Sequence, residues 1–300
     1  MFENLKEGAS VALYFSAWRV VRWLPENTAY RFFDFVADFA VKRNGKGIQR
    51  LRSNLVRVKP DAKSSEIAVL LGISMRSAMR YWCDTFRFPD WSRSRTIDTV
   101  EVVNENLLLD AIAAKRGVIV SLPHAGNWDH AGAYFCDKGI KLVTVAERVK
   151  PDALFQRFLS YREAMGMEVL PVDGRVIAVL AQRLREGHLI ALVADRDLSK
   201  SGITVDFFAG KARMPAGPAV LAIKTGAPLI TAFVSYRRKG IHIEFTQVEI
   251  PTTGTQEEKV QKIVQNCADE FARGISAYPQ DWHMLQRIWI DGDFTERSDG

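Results

Sequence analysis

Over the first hundred residues the apolar positions recur at helical spacing. Leu13, Tyr14, Trp18, Val21 and Trp23 gather toward one side of a helical wheel, with Arg19 and Arg22 on the other. Tyr30, Phe32, Phe33, Phe35, Phe39 and Val41 continue the pattern. From about residue 100 the period changes, and short apolar runs alternate with helical segments. Strands are predicted over 117–122, 141–146, 168–172, 188–194, 204–208, 229–236 and 241–246. Helices are predicted from about Asn127, over 151–165 with Pro151 at the first turn, and over 175–185, 217–225 and 255–278. Such alternation predicts an α/β fold: a central, mostly parallel or mixed sheet flanked by helices, preceded by N-terminal amphipathic helices. No internal repeat or low-complexity tract interrupts it, and the residues from about Asp291 read as a loose tail.

Charge sharpens this picture more than bulk composition does. The 300 residues are 47% hydrophobic and 25% charged, which excludes a disordered chain. Residues 1–100 hold 17 Lys and Arg against 10 Asp and Glu, whereas residues 101–300 hold 24 against 25, so the whole basic excess lies in the first third. An anionic partner is implied for that segment, either lipid headgroups or nucleic acid. The aromatic positions run directly into Lys42, Arg43, Lys46, Arg50, Arg52, Arg57 and Lys59. That mixture suits an interfacial helix on an anionic membrane surface, and no nucleic-acid module is recognisable, so nucleic acid is not an expected partner. A core-packing helix with a solvated basic flank is the plainer alternative. Arg19 and Arg22 break the apolar stretch 9–24, and no segment approaches the ~20 apolar residues of a spanning helix. Cys83, Cys136 and Cys267 are odd in number, far apart and without metal spacing, so reduced thiols are expected, with no metal and no cofactor.

The sharpest chemical feature is Pro123-His124-Ala125-Gly126-Asn127-Trp128-Asp129, directly after an apolar strand, where open α/β sheets place their ligand sites. With a helix opening near Asn127, the Asp129 carboxylate is expected to reach back to the imidazole of His124. It would fix the tautomer and leave the second ring nitrogen to take a proton. Gly126 would let a substrate approach the backbone. The alternative is a structural His and Asp at a helix terminus. Of the other histidines, His130 is expected exposed, His188 and His242 structural, and His283 a packing residue. No G-x-S-x-G elbow is present and no cysteine sits in an activating motif. Glu147, Arg162 and the run Asp195-Arg196-Asp197 suit a polar ligand, since carboxylates bind vicinal hydroxyls and Arg binds phosphate bidentately. An ion-pair network is the alternative for them. Phe207-Phe208 and Met214-Pro215 suit either an apolar ligand channel or plain core.

The element His124…Asp129 resembles the H-x4-D signature of the glycerolipid-type acyltransferases, in the branch holding the lipid A late acyltransferases and the mycobacterial phosphatidylinositol mannoside enzymes. Further blocks resemble it in order: Glu147-Arg148, Phe155…Arg162…Gly166, Asp195-Arg196-Asp197, Phe207-Phe208-Ala209-Gly210 with Pro215-Ala216-Gly217-Pro218, and Pro279…Trp282-His283. Together they cover roughly residues 10–290. The resemblance implies catalysis by His124 and Asp129, with Glu147, Arg148, Arg162, Asp195, Arg196 and Asp197 toward the substrates. It also implies a fatty acyl chain moved from acyl-CoA, palmitoyl-CoA being the expected donor, to a mannose hydroxyl of a phosphatidylinositol mannoside, a glycolipid acceptor. The thioester is already activated, so no covalent acyl-enzyme and no cofactor beyond this co-substrate are needed. The expected organisation is a helical membrane-docking region over 1–100, an α/β catalytic domain over 101–290 and a tail over 291–300, working peripherally on the cytoplasmic face of the cell membrane. Two readings compete: a lipid A-type acyltransferase using acyl carrier protein or acyl-CoA, and an acyl-thioester hydrolase using the same pair on water.

Overall fold

The computed structural model describes residues 18–146, 152–197, 199 and 201–290. Seven strands form the central sheet: β1 (Val100–Val103), β2 (Val118–Leu122), β3 (Leu142–Ala146), β4 (Met167–Pro171), β5 (Leu189–Val193), β8 (Leu229–Tyr236) and β9 (Ile241–Gln247), in the order β1-β9-β8-β2-β5-β3-β4. All neighbours are parallel except the β8–β9 hairpin, so β1 and β9 run against the other five. β6 (Ile203–Phe207) and β7 (Gly210–Met214) form a separate antiparallel hairpin. The strand pattern is the predicted one with two additions, β1 and β7. β1 is half exposed and carries Glu101, and β7 reads Gly-Lys-Ala-Arg-Met, so neither is an apolar run.

β2 is buried throughout because both faces are covered. Ile119 faces the core built by α8 (Val176–Arg185), α9 (Gly217–Thr225) and α10 (Gln256–Ala277). Val118, Val120 and Leu122 face the opposite core, with α5 (Asn106–Ala113) and α6 (Trp128–Asp137). Two helix starts follow from capping. Asn127 Oδ1 accepts from His130 N at 2.9 Å to open α6, and Thr255 and Glu258 form a reciprocal capping box on α10. α7 (Asp152–Ala164) crosses from β3 to β4.

Ahead of β1 lie α1 (Glu26–Arg43), α2 (Lys46–Val58), α3 (Ser64–Arg87) and the short α4 (Arg93–Asp98). They bury Phe33, Leu51, Leu55, Leu71 and Phe86 among themselves and pack on the α/β layer. Trp18 meets Tyr161 of α7 edge-on, Asn54 of α2 donates to Met284 O, and Trp289 donates to Asn54. The aromatic stripe divides: Trp18, Val21 and Phe33 point inward, whereas Trp23 is 81% and Phe35 65% exposed, with Phe32 and Phe39 about half exposed. Leu13, Tyr14 and the tail from Asp291 lie outside the described residues.

Candidate active site

β2 and β5 are parallel neighbours with Leu122 in register with Val193. Two residues further along each chain stand His124 and Asp195, so equal overhangs from adjacent strands bring them together at the carboxyl edge of the sheet. His124 Nδ1 lies 2.6 Å from Asp195 Oδ1. The backbone N–H of His124 and the indole N–H of Trp282 donate to Asp195 Oδ2 at 3.1 and 2.9 Å. Burial pushes the Asp195 carboxyl up, but the adjacent imidazole and these hydrogen bonds outweigh it and hold it below the ordinary carboxylate range. A carboxylate only accepts, so the proton between them sits on Nδ1, which in the neutral imidazole leaves the lone pair on Nε2. The His124 side chain is one-third exposed, and among the described residues nothing bonds Nε2. This is the geometry of an oriented general base.

The orienting carboxylate is therefore that of Asp195, correcting the expectation for Asp129. Asp129 is buried in the first turn of α6, where it accepts from Tyr81 Oη at 2.7 Å and from Arg162 Nε at 2.9 Å. A buried carboxylate needs a counter-charge, and α7 supplies Arg162 while Nδ1 of His124 is already taken. Burial lowers the Arg162 guanidinium, yet the Asp129 charge outweighs it and leaves the group raised. Arg162 uses Nε here, and among the described residues no hydrogen bond engages Nη1 or Nη2. Tyr81 also stacks on Trp128 at 4.3 Å, and Trp128 stands edge-on to His124 at 5.5 Å. A residue of α3 thus joins the site, which no local motif signals.

Arg196 and Asp197 follow Asp195 but differ in setting. Asp197 N donates to Arg213 O of β7, and its carboxylate accepts from Ser199 N, so Asp197 shapes the loop before β6. Arg196 is half-buried. Glu147 and Arg148 lie outside the described residues.

Two smaller expectations change, those for Gly126 and His130. Gly126 has φ +58°, and a Cβ there would stand 2.6 Å from Val234 O, so the glycine admits the neighbouring strand rather than a substrate. Its N–H donates to Asp281 O and is not free for an oxyanion. His130 is buried rather than exposed, because α4 covers it and Thr96 O accepts from Nε2 at 3.0 Å; burial pulls its pKa down to about 4. His283 is a packing residue, as expected, but it packs on the site: its N–H donates to His124 O, and Nε2 meets Ser77 Oγ at 3.0 Å. Phe207 and Met214 are buried, Phe207 against Trp282 and Trp289, so they belong to the core.

The chain matches the family of bacterial lipid A biosynthesis acyltransferases over residues 3–290. It is similar to the phosphatidylinositol mannoside acyltransferase of Mycolicibacterium smegmatis, 43% identical over 282 residues, spanning 92% of this chain and 90% of that protein. It is also similar to the phosphatidylinositol mannoside acyltransferase of Mycobacterium tuberculosis, 39% identical over 282 residues, spanning 92% of this chain and 87% of that one.

Proposed function

This chain belongs to the bacterial lipid A biosynthesis acyltransferase family and is an acyltransferase; from that premise we propose that it moves a fatty acyl chain from acyl-CoA to a mannose hydroxyl of a phosphatidylinositol mannoside. The observation that carries the chemistry is the open Nε2 of His124 beside a buried, ionised Asp195. Nε2 takes the proton of the attacking hydroxyl as its oxygen bonds to the thioester carbonyl carbon. Asp195 stabilises the imidazolium that results. Collapse of the tetrahedral intermediate breaks the C–S bond, and the imidazolium returns the proton to the departing thiolate. Base catalysis of this kind contributes typically about 10²–10⁴-fold. Acyl-CoA enters as co-substrate, palmitoyl-CoA being the donor to try first, and no further cofactor takes part.

Acceptor binding falls to groups around the dyad. Nη1 and Nη2 of Arg162 suit a phosphate or hydroxyl oxygen; Glu147, Arg148, Arg196 and Asp197 complete the proposed acceptor set. The enzyme works as a peripheral protein on the cytoplasmic face of the cell membrane. Supporting this are the outward Trp23, Phe32, Phe35 and Phe39 beside the basic residues of α1 and α2. Among the described residues no helix is long and apolar enough to cross a membrane.

The test is incubation with palmitoyl-CoA, with and without phosphatidylinositol mannosides, following free thiol and lipid product. Acceptor-dependent thiol release with an acylated glycolipid that disappears in His124→Ala is the expected result. Release that ignores the acceptor would make the protein a thioesterase. Transfer only to a lipid A-like saccharide, or only from acyl carrier protein, would replace the acceptor or the donor.

A further inference from the structure

A cavity of about 780 Å³ opens at the same edge of the sheet as the His124–Asp195 pair, and neither His124 nor Trp128 is in its lining. It lies between α1, α3 and the turn of the β8–β9 hairpin, a volume that suits a small-molecule or headgroup ligand. Tyr81 stacks on Trp128, and Tyr236, which lines the cavity, stacks on His283.

Its lining carries a cationic surplus. Six Arg and Lys side chains face four acids, Glu26, Asp34, Asp84 and Asp281. Glu26 is held bidentately by Arg95. Asp84 accepts from Tyr30 and Asn127, and Asp281 from Ser77 and the Tyr236 backbone N–H. Both of these acids are buried; Arg80 Nε stands 4.0 Å from Asp84, Arg76 pairs with Asp38 and Arg237 with Glu101, so the positive charge left without an acidic partner in the lining is that of Arg238 and Lys239. On the cationic side, Arg238 and Lys239 are exposed at the hairpin tip, and among the described residues neither has a partner. The tip itself is fixed. Arg80 lies 4.0 Å over the Tyr236 ring and donates to Arg237 O at 2.9 Å, and Gly240 at φ +88° packs against Thr99 O. Phe33 in the lining is buried, while Ile73 is half exposed beside the exposed Val69 one turn earlier on α3. A fixed cationic rim facing an apolar ridge fits an amphiphile with an anionic head.

We propose that this cavity binds the phosphate-bearing headgroup of an anionic phospholipid, with Arg238 and Lys239 on the phosphate and the chains leaving along Ile73 and Val69. This site is distinct from the acceptor position at His124, and it stands or falls on binding alone, whichever acceptor the enzyme uses.

The experiment is flotation of the full chain with phosphatidylcholine vesicles with and without phosphatidylinositol. Glycerophosphoinositol and inorganic phosphate serve as soluble competitors. The double variant Arg238→Ala/Lys239→Ala should weaken the phosphatidylinositol-dependent binding by at least about tenfold, as loss of two charge-assisted contacts implies. Ile73→Trp, which narrows the mouth without changing charge, should weaken it as well. Lys224→Ala/Lys262→Ala, equal in charge but exposed on α9 and α10 away from the cavity and from the basic face of α1 and α2, should have a much smaller effect. Glycerophosphoinositol should compete and inorganic phosphate should not. Equal loss in both double variants would reduce the effect to general surface charge and overturn the site. Failure of glycerophosphoinositol to compete would overturn it too, and equal competition by inorganic phosphate would replace the lipid with a free anion.

Discussion

His124 Nδ1 and Asp195 Oδ1 stand 2.6 Å apart although 71 residues of chain separate them. The contact exists because β5 pairs directly with β2 and both chains run two residues past the last register pair before the dyad is reached. It makes Asp195, not Asp129, the group that sets the tautomer of the proposed base.

Two substitutions separate these roles. Asp195→Asn retains shape but can present its amide to Nδ1, which favours the wrong tautomer; kcat for acyl transfer should fall by about 10²–10⁴-fold with little change in KM. Asp129→Asn leaves the dyad intact and should cost far less in kcat. Steady-state kinetics on both variants decide it, and a larger loss in Asp129→Asn would return the orienting role to that residue.

Trp282 offers a finer test of the same dyad. Its indole N–H is the donor to Asp195 Oδ2 from the C-terminal segment. Trp282→Phe keeps most of the packing against Phe207 but removes that donor, and a hydrogen bond to a charged group contributes about 1.5–3 kcal/mol. Transfer should drop about tenfold while the melting temperature falls only modestly. An unchanged rate would mean that His124 alone keeps Asp195 in place.

Much of this was legible beforehand. The apolar run before Pro123 and the His-x-Gly-Asn sequence after it put His124 at a strand end, and the strand really is buried on both faces. The Asp195 run stands just past a second such strand, so both ends of the dyad carried a signal. What linear order could not supply was the neighbour relation: β5 lies beside β2 only because the chain crosses out through β3 and β4 and returns between β2 and β3. Asp129 was the nearer carboxylate in sequence, and nearness in sequence is the wrong metric at a sheet edge. His130 is buried against expectation for a similar reason, since its cover comes from α4, more than thirty residues upstream.

His130 and His283 give the protein a pH-dependent stability. Burial pulls His130 down to about 4, and burial with the nearby His124 pulls His283 down to about 3, from an ordinary value of 6.5. Below pH 6.5 the unfolded chain protonates these imidazoles while the folded chain does not, so the unfolded state binds more protons. Stability is therefore present above 6.5 and is lost as pH falls toward about 4 and 3, by at most about 1.4 kcal/mol per pH unit for each group. Melting temperature measured from pH 7 to 4.5 should fall, and the fall should be shallower in His130→Gln. A slope unaltered by that change would assign the acid sensitivity elsewhere.

The buried pair Asp129–Arg162 should behave as a structural unit with a functional edge. Asp129→Ala strands a guanidinium that is largely buried beside Tyr81 and Tyr161, and removing one partner of such a pair costs about 3–5 kcal/mol. Replacing both, as Asp129→Leu with Arg162→Met, removes the uncompensated charge and should recover much of that stability. The double variant should nevertheless bind acceptor poorly, because Nη1 and Nη2 are gone. Denaturant melts read the first effect and the KM for acceptor reads the second. A double variant that is stable and has an unaltered acceptor KM would confine the pair to holding α6 against α7. Recovery of stability without recovery of KM would place Arg162 on the acceptor.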